Sequence, residues 1–207
     1  MEPRDKALQR SMLPALLINL ALAGAKQFTG IQTRSFWLIA LSYYYLCLAL
    51  LRVALLLLLR RRARRRDNAD TLRRCMWIGV GMFLISITLS GVTILVVWRQ
   101  AHFDYPGLLI YVMAVYAFYS LISAVIEMIR YRGFSDPLHS AVKAIDLSAA
   151  LTGIYALETA MLSRFGGSPQ FRLTITAVTG AVVWLAALLL ALGIILFCRY
   201  SLKQISK

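Results

Sequence analysis

Few side chains in this 207-residue sequence could do chemistry, and those that could sit inside long apolar runs. Arg52 and Asp146 stand out. Arg52 lies eight residues before Arg60 and Asp146 nine after Pro137, so at helical rise each sits about 12–14 Å in from the same membrane face. A charge left alone at that depth costs a few kcal/mol, so equal depth on two helices points to an ion pair or to a substrate or proton site built around one. The competing reading is structural: Arg52 extends to the interface, and Asp146 meets Lys143 three residues earlier on its own helix. If Arg52 takes Asp146, the stem of Lys143 reaches the cytoplasmic interface instead. Glu158, about 18 Å further out, is expected to meet Arg34, Arg164 or Arg172, and Glu127, at the inner end of its run, to be solvated. His139 stands two turns before Asp146 and offers at most a proton or metal relay at the mouth. Tyr43, Tyr44 and Tyr45, with Tyr111, Tyr116 and Tyr119, could line a cavity through ring faces and hydroxyls, or simply pack.

These residues need elements that hold them in a membrane. The composition is 60% hydrophobic and 15% charged, too apolar for an ordinary soluble domain. The stretch from Ser35 to Leu59 carries one charge, Arg52, and six arginines follow within Arg60–Arg66. An apolar run of that length spans a bilayer, and the basic block marks the cytoplasmic end. The whole chain reads as an all-α, polytopic bundle of six spans in a single domain over 1–207, at about 12–31, 35–59, 75–98, 105–129, 137–162 and 174–198. Arg60 to Arg74 is expected as a loop holding eight arginines. Lys26 extends the weak first run and is expected to reach the far interface. Trp98 and Arg99 read as an interface anchor, Tyr105-Pro106-Gly107 as the start of the fourth span, and Gly166 to Pro169 as a turn. With both termini cytoplasmic, sixteen Lys and Arg lie inside against five outside, which fixes the orientation in a cell membrane. No cleavable leader and no soluble domain after Cys198 are expected.

The net charge of +14 sits at span ends, where topology and anionic head groups explain it better than nucleic acid does. The expected partners are the lipid bilayer, anionic lipid at Arg60–Arg66, and a second copy of the chain. Ala149-x-x-x-Gly153 and Ala156-x-x-x-Ala160 give the fifth span a small face for close helix contact. Cys47, Cys75 and Cys198 form no C-x-x-C pair, and boundary positions leave acylation of Cys75 or Cys198 as the minor alternative to plain thiols.

The passage from Ile18 to Leu55, INLALAGAKQFTGIQTRSFWLIALSYYYLCLALLRVAL, has an asparagine-bearing first helix with lysine and glycine near its outer end. A Ser-bulky-Ala-Leu start to the second helix follows. With Ser135-Asp136-Pro137-Leu138 and Ala141 to Leu151 it resembles the cation diffusion facilitator family. That resemblance implies a six-helix bundle and a tetrahedral zinc site, His/Asp-x-x-x-Asp on the second helix and His-x-x-x-Asp on the fifth. Those positions here are Tyr44, Leu48, Ile145 and Ala149, which cannot ligate zinc in the usual way. The family's cytoplasmic C-terminal domain is not expected either. No metal or other cofactor is therefore expected. The candidate site is intramembrane and polar: Arg52, Asp146, Tyr44 and Lys143.

No nucleophile–base pair, glycine-rich phosphate loop or paired-acid constellation appears, so no enzyme is expected. The leading reading is a transporter-like protein with an atypical, non-zinc cargo site. The alternative is a non-transporting scaffold or regulatory subunit, and a channel is weaker still for want of a polar lining. A cavity at Arg52, Asp146 and the tyrosines, or a dry packed interface there, separates the first two.

Overall fold

The computed structural model describes residues 3–32, 34, 36–65, 68–99, 107–130, 137–166 and 168–205. Arg66, Tyr105, Pro106, Arg132, Ser135 and Asp136 lie outside the described residues, as do the side chains of Arg62, Arg64, Arg65, Trp98 and Arg99. Among the described residues the chain is all-helical: α1 (Pro3–Gln32), α2 (Phe36–Arg65), α3 (Asn68–Arg99), α4 (Gly107–Arg130), α5 (Pro137–Phe165) and α6 (Pro169–Ile205). Five of the helices contain stretches long and apolar enough to cross a membrane, and α4 adds the apolar segment Met113–Ile129. Large apolar side chains also cover the outer faces, Leu17, Leu50, Leu57, Val115, Leu189 and Leu196 among them. A surface this apolar suits a bilayer, where each backbone polar group must find its partner inside its own helix. The molecule is a multi-pass helical membrane protein.

The helices outrun the apolar spans. The expected arginine loop is largely helical, since α2 continues to Arg65 and α3 begins at Asn68. Hydropathy marks where the membrane ends and not where the helix does. Arginine is a good helix former, and its charge is favourable at a helix C-terminus. At the start of α3, Asp70 favours the N-terminal end of the dipole and pairs with Arg74 at 3.1 Å. At the other turn, Pro169 occupies the first position of α6, and the Ser168 hydroxyl accepts from the Phe171 amide at 3.4 Å. The α1–α2 connection is tighter. Arg34 takes a left-handed conformation, φ 50°, while its amide donates to the Ile31 carbonyl at 3.3 Å.

The bundle is organised by α3 packed on α6, α1 on α2, and α5 packed equally on α4 and α6. Helix α5 also contacts α2 and α3 and is the most enclosed. Its small face does what the sequence suggests, because Ala149, Gly153, Ala156 and Ala160 are all buried. That low profile lets the Tyr45 hydroxyl of α2 donate to the Ala149 carbonyl at 3.3 Å.

Candidate functional site

The contact between α2 and α5 brings the Arg52 guanidinium to Asp146, Nη2 to Oδ1, at 2.5 Å. Two residues further along α5 the Ser148 hydroxyl shares a hydrogen bond of 2.9 Å with the Tyr44 hydroxyl of α2. Arg52 is 4% exposed, so the pair is buried on the arginine side and more open on the Asp146 side. Lys143 bonds Glu127 on α4, and that pair corrects two expectations. Lys143 is held inside the bundle and does not reach for the interface, and Glu127 is half-buried and not simply solvated. The reason is the α4–α5 packing, which sets a carboxylate beside the lysine stem.

A cavity of about 190 Å³ opens beside the first pair, lined by α1, α2, α4 and α5. Its polar walls are Asn19, Arg52, Asp146, Glu127, Ser120 and Ser123. Tyr45, Tyr116 and Tyr119 supply rings. The tyrosine groups thus split. Tyr43 and Tyr111 are exposed on outer faces, and Tyr44 is held by Ser148. In the sequence Asn19 entered only as part of the family resemblance and not as a site residue, although an amide inside an apolar span was the available signal. It is 2% exposed and its Nδ2 has no hydrogen-bond partner. Arg52 has the same deficit at Nε and Nη1. Buried donors are nearly always satisfied, so three orphans on two residues lining one cavity are a departure.

Other expectations fail for identifiable reasons. Lys26 does not extend to the interface. It is 7% exposed, with its ammonium over the Tyr45 ring at 5.2 Å from the centroid. Glu158 accepts a hydrogen bond from Thr179 of α6 at 3.0 Å, so a hydroxyl stands where an arginine was expected. Cys75 and Cys198 are wholly buried and in contact between α3 and α6, which removes acylation of either in this fold.

The positions that carry zinc in the resembled family are packed apolar contact here. Leu48 and Ile145 are fully buried, and Tyr44 and Ala149 nearly so. Among the described residues no three His, Cys, Asp or Glu side chains come together to hold a metal ion, and His139 is half-buried.

No family model, curated protein or solved structure matches the chain. What the site can do must come from its own geometry. It offers a neutral ion pair with surplus donors, set beside a ring-lined space between helices.

Proposed function

We propose that the chain is a small transporter, a divergent relative of the cation efflux bundle. Its cargo site is the cavity at Arg52 and Asp146, not a zinc site. The cavity carries this reading. A scaffold that only holds its helices together gains nothing from burying an arginine with unfilled donors beside open space, since each stranded group costs stability. A cargo that fills those donors offsets the cost while it is bound.

The reading includes six spans with both termini in the cytoplasm of a cell membrane. The positive-inside asymmetry supports it, as does α4, whose 24 residues reach about 36 Å. Cysteines placed at Lys6, Asp70 and Lys203 should label only with cytoplasmic access, and those at Asp104 and Ser168 from outside. Labelling at Lys6 from outside would remove the first span.

Reconstitution into liposomes tests the transport itself. Saturable uptake of at least one solute is expected across a panel of cations, organic anions and small amphiphiles. Ala124→Phe, which fills the cavity from α4, should abolish it. A flat panel with correctly inserted protein would reject transport in favour of a non-transporting scaffold.

A further inference from the structure

Resting on the reading of this cavity as a cargo site, we infer that its cargo is a small organic anion of the carboxylate class. The donors decide the sign. Asn19 Nδ2 and Arg52 Nε and Nη1 are buried without partners, on residues that line the same space. The two serine hydroxyls and that of Tyr45 are already committed as donors. Ser120 donates to the Ala117 carbonyl, Ser123 to the Ser120 carbonyl, and Tyr45 to the Ala149 carbonyl. A ligand rich in acceptors is what the orphan nitrogens lack, and a carboxylate fits the planar guanidinium best.

Charge points the same way. Arg52 lines the cavity and two further cations lie behind its walls, Lys143 on Glu127 and Lys26 over the Tyr45 ring, against the lining carboxylates of Asp146 and Glu127. Each carboxylate is already paired, whereas Lys26 meets a ring face. A bound monoanion brings the cluster to neutrality, but a cation adds to the surplus. A cation would also approach an Asp146 that Arg52 has already neutralised, and would leave all three donors unfilled.

Size narrows the class. A cavity of about 150 Å³ holds benzene, so about 190 Å³ suits an acid of roughly six to ten non-hydrogen atoms. Tyr116 and Tyr119 give its apolar part a ring to rest on. Tyr119 both lines the space and is exposed on the outer face of the bundle. The acid can therefore come from water or from the bilayer, and the shared chemistry is the carboxylate.

The test uses the purified full chain in nanodiscs of zwitterionic lipid, with labelled benzoate, octanoate and choline. Saturable binding of benzoate is expected. Asn19→Leu should weaken it about tenfold or more, the worth of one hydrogen bond to a charged group, and leaves the Arg52–Asp146 pair in place. Ala124→Phe should remove it. Octanoate binding alone, with the same two sensitivities, also supports the inference and assigns the source to the bilayer. Absence of saturable anion binding overturns it, and so does binding indifferent to both substitutions. Saturable choline binding that is lost in Asp146→Asn reverses the sign of the cargo and leaves the transport reading standing. Anion binding without uptake in liposomes does the opposite.

Discussion

The seam between α3 and α6 and the space between α1, α2, α4 and α5 are built by opposite means. Along the seam, Gly79 and Gly180 let the helices approach until an added Cβ would meet Ile195 at 2.9 Å or Thr93 at 2.5 Å. Ala187, Ala191, Cys75 and Cys198 fill the rest, all buried and small. Across the molecule the facing residues are long and charged, and the helices stand off around a cavity. Lipid tails are as apolar as leucine, so helices in a bilayer gain little by burying more of it. Close packing holds the first region together. In the second, ion pairs hold α2 and α4 to α5, and the space left over is where a solute fits.

Breaking the Arg52–Asp146 pair should have the largest effect. Arg52→Leu or Asp146→Leu alone strands the opposite charge, at a cost of about 3–5 kcal/mol. The double substitution strands neither and should recover most of the loss. Thermal unfolding in detergent, with the yield of monodisperse protein, reads both. A double variant as poor as the sum of the singles would show that the pair does not hold this half together.

That pair was legible in the sequence because helical rise turns a residue offset into depth, and both offsets start at the same face. The other pair was not. Lys143 and Glu127 lie 16 residues apart on different helices, and only the rotation of α4 against α5 sets them face to face. Asp146, three residues from Lys143, offered a nearer partner by spacing alone. Helix limits were hidden for a related reason. The arginines that end the apolar run of α2 do not end its helix, because charge sets the membrane boundary while backbone hydrogen bonding sets the helical one. Lys26 misled in the same direction, since nothing in its neighbours along the chain announces the ring of Tyr45.

The next effect belongs to the seam. Gly180→Ala drives a methyl group against Thr93 and against the Tyr155 hydroxyl, 2.9 Å away. Overpacking of this kind costs about 1–3 kcal/mol. Gly193→Ala, on the same helix but with open space at its Cβ, should be neutral or gain up to about 1 kcal/mol. Thermal unfolding compares the two. Equal effects would mean that α3 and α6 are not in close contact at Gly180. Benzoate binding should survive Gly180→Ala, because the cavity draws no residue from α3 or α6.

Glu127→Gln ranks third. The carboxylate side chain is 40% exposed, and the amide that replaces it still accepts from Lys143, so the loss should be about 1 kcal/mol or less. A loss as large as that of Arg52→Leu would put the two pairs on an equal footing.

The smallest expected change is a gain, and it acts on the hairpin that carries Asn19 and Arg52. Arg34 sits between α1 and α2 with φ 50°, the left-handed region that an L side chain enters at a cost of roughly 1–2 kcal/mol. Its amide closes the turn on the Ile31 carbonyl, as a residue just past a helix end commonly does, and glycine is the usual occupant of that position. At Gly30 an added Cβ would already meet the Ile39 side chain at 2.9 Å, so the two helices converge immediately beside it. Arg34→Gly should therefore stabilise the protein by about 0.5–1 kcal/mol, less than the full strain because glycine also loosens the unfolded chain. The rise in unfolding temperature should come without a change in benzoate affinity, since Arg34 does not line the cavity. A fall in stability would show that the arginine side chain, not the turn geometry, holds the hairpin. A shift in affinity would tie the cavity to the angle between α1 and α2.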